Sequence, residues 1–284
     1  MLKIIKTTVN IGLEKTVRIL HTTDTHLTLC DERDNERKRS LALSRKAAFS
    51  SESGSPESYL EETLEYGKKH CDLMVHTGDL IDFVSQANID KAAKVVKMPK
   101  VLFVPGNHEY SQYVGEAWED SAYRMNSYME IQPRLGVDLF FTSRQVGGVN
   151  FVGVDNVYYK FEDWYISRLE TEVQKGLPIV LLMHNPLFEE SLYSFCMDER
   201  HEASAGIVGC DEEHLARYSE YRALQQRPDE ATKCFVDYIA SQPAVKAVIA
   251  GHLHFSFESR LPCGKMQYVT GGGYEGIARE ITIV

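Results

Sequence analysis

The sequence is poor in the features that mark secreted or membrane-spanning chains. Six cysteines are spread over 284 residues, none of them in a Cys-x-x-Cys pair, so a disulfide scaffold is not expected. No run of about 18 apolar residues occurs, and the segment from Met1 to Gly12 lacks the apolar core of a signal peptide. The sequence therefore predicts reduced thiols, no membrane span and a cytoplasmic location.

Positive charge is also scarce. Lysine and arginine number 31 against 41 aspartates and glutamates, which gives a formal net charge of -10. A protein that binds nucleic acid over a long footprint needs a basic surface to neutralise phosphates, so nucleic acid is not an expected partner. A small phosphate ester is compatible with this balance, because bound cations reverse the local charge.

Short apolar runs rich in β-branched residues recur along the chain, and such runs predict buried strands. The predicted strands are 2–9 and 16–22, on either side of a turn at 12–14, followed by 73–75, 101–104, 179–183 and 247–250. Segment 139–155 contains a glycine pair and predicts a hairpin. Helical patterns occur at 59–69, 111–130, 162–175 and 231–241. Alternating strands and helices predict an α/β sandwich, treated as a single domain over residues 1–284.

Two polar segments interrupt this alternation. Segment 33–57 carries a dense run of charge and a serine-rich end, which predicts a solvated loop or a surface helix. Segment 189–229 exceeds the usual length of a connection, and such segments are often functional. We interpret 189–229 as an insert or lid, in which His201 and His214 are candidates for substrate contact.

Most of the predicted strands lead into residues with metal-binding side chains. These residues are Asp24, His26, Asp79, Asn107, His108, His184, His252 and His254. Ligands bind beyond the carboxyl ends of the strands in an α/β sheet, so these side chains are expected to meet at one edge. Carboxylate, imidazole and amide oxygen together suit divalent cations such as manganese, iron or zinc. Asp79 can bridge two cations, and Asn107 can offer a neutral oxygen.

Each of these motifs has an ordinary structural interpretation when it is taken alone. Asp-x-His is common in loops, and the Gly-Asn pair at 106–107 also suits a turn. His21 and His76 are expected in the core, and the glycines at 271–273 predict a tight turn between late strands. The ordered combination of motifs, each placed after a strand-like run, is what indicates a metal site.

The motifs resemble those of the calcineurin-like metallophosphoesterase superfamily. The matching blocks are Thr23-Asp24-Thr25-His26, Gly78-Asp79-Leu80-Ile81-Asp82, Val104-Pro105-Gly106-Asn107-His108-Glu109, Met183-His184-Asn185-Pro186 and Gly251-His252-Leu253-His254. This resemblance implies a four-layer αββα sandwich with two divalent metal ions. It implies one metal held by Asp24, His26 and His254, and a second held by Asn107, His184 and His252. Asp79 would bridge both metals, His108 would be the acid for the leaving oxygen, and Asp82 would orient His108.

One departure from the family pattern bears on the substrate. The branch that contains serine/threonine protein phosphatases resembles Gly-Asp-x-Val-Asp-Arg-Gly, whereas Asp82 is followed here by Phe83 and Val84. The Val-Pro-Gly-Asn-His form is more similar to the branch of phosphodiesterases and small-molecule phosphatases. The sequence therefore predicts a metal-dependent hydrolase of a small phosphodiester or phosphomonoester. A nuclease and a non-catalytic scaffold on the same fold are the alternatives, and no oligomeric state is predicted.

Overall fold

Two β-sheets packed face to face form the centre of the structure, a computed structural model that describes residues 1–115 and 120–284. In chain order the strands are β1 (Lys3–Val9), β2 (Val17–Thr22), β3 (Leu73–His76), β4 (Val101–Phe103), β5 (Phe141–Val146), β6 (Val149–Val154), β7 (Ile179–Leu182), β8 (Val245–Ala250), β9 (Phe257–Arg260), β10 (Met266–Val269) and β11 (Ile277–Ile283). The first sheet has the order β1-β11-β2-β3-β4, and the second has the order β5-β6-β7-β8-β10-β9.

The last strand of the chain separates the first two. Strand β11 pairs in parallel with β1 and antiparallel with β2, so the strands on either side of the turn at 12–14 do not pair with each other. The predicted hairpin is present, because β5 and β6 pair antiparallel around the glycine turn. Strands β2, β3 and β4 are parallel, as are β6, β7 and β8.

Helices cover the outer face of each sheet. In the described residues they are α1 (Glu36–Phe49), α2 (Pro56–His70), α3 (Gln86–Val96), α4 (Ser121–Leu135), α5 (Tyr165–Val173), α6 (Glu190–Ser194), α7 (Glu212–Leu215), α8 (Glu220–Gln226) and α9 (Glu230–Ser241). Helices α2, α3 and α4 pack on the first sheet, and α5 and α9 pack on the second. Apolar side chains from both sheets fill the space between them. The predicted four-layer αββα sandwich is therefore confirmed.

Local sequence signals explain where several helices begin. Ser55 accepts a hydrogen bond from the backbone N–H of Ser58, and Pro56 occupies the first turn of α2, where its missing N–H costs nothing. Asp229 caps α9 in the same way. Side-chain oxygens at these positions satisfy N–H groups that the helix itself leaves unpaired.

The helix predicted at 111–130 is shifted in the structure. Asp120 accepts hydrogen bonds from the N–H groups of Ala122 and Tyr123 and so begins α4 at Ser121, and the left-handed Gly136 ends it. Residues 111–115 are irregular. The remaining part of the prediction, 116–119, lies outside the described residues.

Segment 189–229 folds around a small apolar core of its own. Tyr193, Ile207 and Leu215 are buried in this core, which also contains Val269 of strand β10. The segment is therefore packed against the second sheet through buried side chains. Among the described helices, none combines the length and the apolar character needed to cross a bilayer.

Candidate metal centre

The predicted ligands lie together because parallel strands deliver them to one edge of the sandwich. Asp24 and His26 follow β2, and Asp79 follows β3. The turn after β4 carries Asn107 and His108, His184 follows β7, and the pair His252 and His254 follows β8. Parallel strands place their carboxyl ends on the same side, so residues far apart in sequence meet there.

A first group of possible ligand atoms comes from Asp24, His26, Asp79 and His254. The Nε2 atoms of His26 and His254 are 3.1 Å apart. His254 Nε2 lies 3.4 Å from Asp24 Oδ1, and His26 Nε2 lies 3.8 Å from Asp79 Oδ2. Two carboxylates and two imidazoles thus surround one point, in a site where only His254 is partly exposed.

A second group comes from Asp79, His184 and His252, so Asp79 belongs to both. His184 Nε2 lies 3.3 Å from Asp79 Oδ2 and 3.2 Å from His252 Nδ1. Asn107 lines the same cavity as His252 and His254. The structure therefore brings all the predicted ligand residues to one place.

The residues present fit divalent cations. Asp24 Oδ1 and Asn107 Oδ1 are buried without a hydrogen-bond partner among the described residues, which is costly for a polar atom unless a ligand satisfies it. In each close pair of imidazole nitrogens, 3.1 Å and 3.2 Å apart, at most one nitrogen can carry the shared proton, so lone pairs converge. Nitrogen and carboxylate donors in this combination suit first-row transition metals.

The backbone of the ligand loops is held in an uncommon conformation. Asp24, His26, Asp79, His252 and His254 all have φ between 50° and 70°, a left-handed region that costs about 1–3 kcal/mol for residues other than glycine. Hydrogen bonds between the loops hold this conformation, including Asp24 N–H to Gly78 O at 2.9 Å and His26 N–H to Asp79 O at 2.9 Å. Strain that is fixed in this way is typical of functional sites.

Glu109 belongs to the Gly-Asn-His-Glu motif, and its side chain supports the backbone of the ligand loops. Its buried carboxylate accepts hydrogen bonds from the backbone N–H groups of Gly106, Asp79, Leu80 and Ile81, at 2.6 to 3.1 Å. Burial and the nearby charge of Asp79 raise the pKa of Glu109 to about 8, although the N–H donors oppose this shift. Glu109 joins the turn after β4 to the turn after β3.

Burial and neighbouring charges set the pKa values in the second group. Burial lowers the pKa of His184, but the charge of Asp79 outweighs it and raises that pKa to about 9. Burial and the neighbouring His184 lower the pKa of His252 to about 3. Burial raises the pKa of Asp79, but nearby histidines, His184 first, lower it well below its usual value. The carboxylate that both groups share is therefore ionised, as a metal ligand must be.

His108 lies beside the first group. Its Nδ1 donates a hydrogen bond to the main-chain carbonyl of Asp82 at 2.6 Å, and the Asp82 carboxylate is 3.3 Å away. That carboxylate makes shorter contacts elsewhere, at 2.9 Å to His26 Nδ1 and 2.6 Å to Arg45 Nε. Asp82 therefore contacts His108 mainly through its backbone and orients the ligand His26 with its side chain, an arrangement common behind metal-bound histidines.

Arg45 and Phe49 are site residues that the sequence interpretation missed. Segment 33–57 was predicted to be a solvated loop or a surface helix, and it contains helix α1. The C-terminal end of α1 reaches the predicted ligands. Arg45 binds both oxygens of the Asp82 carboxylate. The ring of Phe49 stacks on that of His26, with centroids 4.6 Å apart. No motif contains either residue, and a basic side chain in a charged helix gives no signal of its own.

Tyr159 is a third site residue outside the motifs. Its hydroxyl lies 3.0 Å from His252 Nε2, the ring nitrogen opposite the one that faces His184. Tyr158 and Tyr159 both have φ of 63°, and both are buried. Asn156 holds this segment, because its side chain binds the backbone N–H groups of His184 and Asn185.

The other histidines stay outside the ligand groups. His21 and His76 are buried and bind threonine hydroxyls, as the core interpretation predicts. His214 binds Asp211 and Glu190, and neither His214 nor His201 lines the cavity at the metal centre. The glycines at 271–273 lie in the turn between β10 and β11, where the N–H of Gly273 donates to Thr23 O at 2.8 Å.

A cavity of about 860 Å³ opens from the ligand groups towards segment 189–229. Asn107, His252 and His254 are among the residues that line it, and so are Arg200 and Arg222 of segment 189–229. The insert also closely approaches the ligands, because a Cβ atom at Gly206 would lie 3.3 Å from His252 Nε2. The insert therefore forms part of the cavity wall.

A family model for the calcineurin-like phosphoesterases matches residues 17–256, which is well over half of the chain. The protein therefore belongs to the calcineurin-like phosphoesterase family. A comparison with curated protein sequences gave no significant match.

Several solved structures are similar to the chain at low identity. A dimetal phosphatase from Danio rerio is 17% identical, with a TM-score of 0.40. The match covers 91% of this chain and 88% of the phosphatase chain. An NAD nucleotidase from Haemophilus influenzae is 13% identical, with a TM-score of 0.44. The match covers 91% of this chain and 45% of the nucleotidase chain. A 5′-nucleotidase precursor from Thermus thermophilus is 13% identical, with a TM-score of 0.43. The match covers 95% of this chain and 54% of the precursor chain. The chain spans about half the length of the two nucleotidase chains.

Proposed function

We propose that the protein hydrolyses a small phosphodiester or phosphomonoester at a centre of two divalent transition-metal ions. The observation that carries this proposal is the pair of ligand groups that share Asp79 at the end of one cavity. A non-catalytic scaffold on this fold would be expected to have lost ligands, whereas every ligand position of the family pattern is occupied here.

The donor atoms support a division of labour between the two groups. Asp24, His26 and His254 would hold one metal, Asn107, His184 and His252 would hold the other, and Asp79 would contact both. Bound metal ions of this kind supply Lewis acidity and lower the pKa of bound water. Manganese, iron and zinc all suit these ligands. The protein orients His26 through Asp82 and His252 through Tyr159.

His108 is suited to give a proton to the leaving oxygen. Its Nδ1 is occupied by the Asp82 carbonyl at 2.6 Å, so Nε2 is the ring nitrogen left to exchange a proton with substrate. The side chain is mostly buried but not sealed, with 16% of its surface exposed. General acid catalysis by a histidine positioned in this way is worth roughly 10²–10⁴-fold in rate.

The shape and charge of the cavity support a small substrate. Its volume of about 860 Å³ is in the range typical of small-molecule sites. Arg200 and Arg222 are among its lining residues. The net charge of -10 opposes a long polyanion, whose distant phosphates would meet acidic surface.

A substrate panel with the manganese-loaded protein tests the proposal. We expect hydrolysis of 4-nitrophenyl phosphate or bis(4-nitrophenyl) phosphate, and poor cleavage of single-stranded and duplex DNA at physiological salt. Asp79→Asn is expected to lose most of the activity, because it removes the charge shared by the two ligand groups. Asp237→Asn, an exposed aspartate on α9, is the matched control and should retain activity.

Two results would contradict this proposal. If DNA is cut with much higher catalytic efficiency than every small ester, the protein is a nuclease of the same family. If no ester is cleaved with manganese, iron or zinc while the protein is folded, the scaffold alternative replaces the hydrolase.

A further inference from the structure

His21 is a buried histidine on strand β2 that does not belong to either ligand group. Its Nδ1 lies 2.7 Å from Thr270 Oγ1, and its Nε2 lies 2.8 Å from Thr77 Oγ1. Thr270 follows β10 of the second sheet, and Thr77 follows β3 of the first. The ring of His21 therefore joins the two sheets at the edge that carries the predicted metal ligands.

Thr77 connects His21 to one of these ligands. The main-chain carbonyl of Thr77 accepts a hydrogen bond from His184 Nδ1 at 2.7 Å, and the opposite nitrogen of His184 lies 3.3 Å from Asp79 Oδ2. The backbone is also close to this ring, because a Cβ atom at Gly78 would lie 2.7 Å from His184 Nδ1. A displacement of residues 77–78 would therefore turn the ring of His184.

Thr77 and the shared ligand Asp79 have different supports. The N–H of Asp79 donates a hydrogen bond to the Glu109 carboxylate at 2.8 Å. The N–H of Thr77 donates to the main chain of strand β2 at 3.2 Å, and its side chain contacts His21. Loss of the contact between Thr77 and His21 is therefore expected to disturb His184 more than Asp79.

A buried arginine fixes the other side of the His21 ring. Arg279 is 1% exposed and is paired with Glu258. Its Nε donates a hydrogen bond to Thr270 Oγ1 at 3.2 Å, and its Nη2 donates to Val269 O at 3.1 Å. Burial and the positive charge of Arg279 hold the pKa of His21 well below its usual value. His21 is therefore a neutral imidazole with one donor and one acceptor nitrogen, which two hydroxyl groups can satisfy.

We infer that His21 is a positioning residue for the second ligand group and acts through Thr77 on the ring of His184. A ligating histidine is oriented by the hydrogen bond that its outer nitrogen makes, and the partner in that bond affects metal affinity. Here the partner is the Thr77 carbonyl, and His21 fixes the residue that carries it. The inference rests on the proposed function, because it concerns the metal that Asn107, His184 and His252 would hold.

Two substitutions at position 21 separate the two contacts of the ring. The amide of glutamine reaches about as far as Nε2, so His21→Gln can keep the contact with Thr77. The shorter amide of asparagine reaches only as far as Nδ1, so His21→Asn can keep the contact with Thr270 alone. Thr77→Val removes the same contact as His21→Asn from the other partner. It keeps the shape of the side chain and leaves the carbonyl that binds His184.

Titration of metal-free protein with manganese, followed by calorimetry, measures the two binding steps. His252→Ala and His254→Ala, one from each ligand group, assign them. We expect His21→Asn and Thr77→Val each to weaken the step of the second group roughly tenfold and to leave the other step near its wild-type value. His21→Gln should retain most of the affinity. The double variant of His21→Asn and Thr77→Val should bind no more weakly than either single variant, because both changes remove one contact.

Hydrolysis of 4-nitrophenyl phosphate gives a second measurement. His21→Asn and Thr77→Val should need roughly tenfold more manganese for half-maximal activity and should approach the wild-type kcat at saturating manganese. Thr63→Val removes the hydroxyl of a buried threonine in helix α2 and is the matched control. It should leave both binding steps and the manganese requirement unchanged. Melting temperatures of the metal-free variants show whether each one is folded.

Three results would overturn the inference. These are an unchanged affinity of Thr77→Val for manganese, an equal loss in Thr63→Val, or an equal weakening of both binding steps in His21→Asn and Thr77→Val, since packing alone would explain it. If His21→Asn does not fold, Thr77→Val decides the question. Wild-type protein that binds manganese but hydrolyses no ester would contradict the proposed function alone, and the titrations would still test His21. Wild-type protein that binds no metal would overturn both.

Discussion

Arg45 and Tyr159 each support one of the two groups of predicted metal ligands. Arg45 fixes the Asp82 carboxylate with two hydrogen bonds, and that carboxylate fixes His26. Tyr159 fixes His252 from the opposite side of the centre. Hydrogen bonds to the outer nitrogen of a ligating histidine set its ring orientation and its basicity. The two ligand groups thus have separate supports, which can be tested separately.

Removing the Tyr159 hydroxyl should weaken metal binding at the second group. Tyr159→Phe keeps the ring but removes the 3.0 Å contact with His252 Nε2, and lost contacts of this kind cost roughly 10–100-fold in metal affinity. Titration of metal-free protein with manganese, read by calorimetry, measures the loss. One of the two binding steps should weaken and the other should stay near its wild-type value.

Tyr165→Phe is the matched control for Tyr159→Phe. The Tyr165 hydroxyl is buried and has no hydrogen-bond partner within residues 1–115 and 120–284, so its removal should leave both metal-binding steps unchanged. Equal affinities in Tyr159→Phe and wild-type protein would show that the strained tyrosine serves packing alone.

Local charge joins two helices within segment 189–229. His214 lies in the short helix α7, where Asp211 Oδ1 is 2.7 Å from its Nδ1 and Glu190 Oε2 is 3.0 Å from its Nε2. Burial lowers the pKa of His214, but these two carboxylates raise it above its usual value. The protonated ring therefore joins α6 to α7.

This pair of contacts predicts a pH-dependent stability. A histidine with a raised pKa in the folded state stabilises that state fully below its unfolded pKa of about 6.5, and the contribution is lost as the pH rises through the folded value. His214→Gln should therefore lower the melting temperature most at about pH 6 and progressively less above about pH 7. Thermal unfolding at several pH values measures the difference.

His201→Gln provides the comparison within the same segment. His201 is exposed, so its replacement should change the melting temperature only slightly. A destabilisation by His214→Gln that is constant from pH 6 to pH 8, at about the same size, would mean that ring packing against Tyr193 and Phe188 is the dominant contribution.

The whole molecule should respond to metal through its folding equilibrium. The unfolded chain has no arrangement that brings Asp24, Asn107 and His184 together, so binding energy adds to the stability of the folded state. At a free metal concentration about 100 times the Kd, the gain is about 2.7 kcal/mol. A protein of this size should then melt roughly 5–10 °C higher.

Differential scanning calorimetry with and without manganese measures this shift, and a chelator should reverse it. Asp79→Asn is expected to lose most of the shift, because both ligand groups use that carboxylate. Asp237→Asn should keep it. A melting temperature that is indifferent to manganese, iron and zinc would contradict metal binding by the folded chain at this site.

At the scale of the fold, the sequence alone predicted strands β1 to β8, the α/β class and the candidate ligand residues, but it did not predict β9, β10 and β11. These features are local, because an apolar run followed by a polar turn can be recognised in a sequence of a few residues. The metal centre was predictable because each ligand stands directly after such a run, and parallel strands place those ends together. The family resemblance added the division of the ligands between two metals, which stays a prediction.

Only the tertiary structure decided which residues support and surround the centre. Arg45 meets Asp82 across 37 positions, and Tyr159 meets His252 across 93. Strand β11 enters between β1 and β2 from the other end of the chain. Such contacts depend on how sheets and helices pack, and neither spacing nor composition encodes them locally. For the same reason the contribution of segment 189–229 to the cavity lining became visible only in the folded structure.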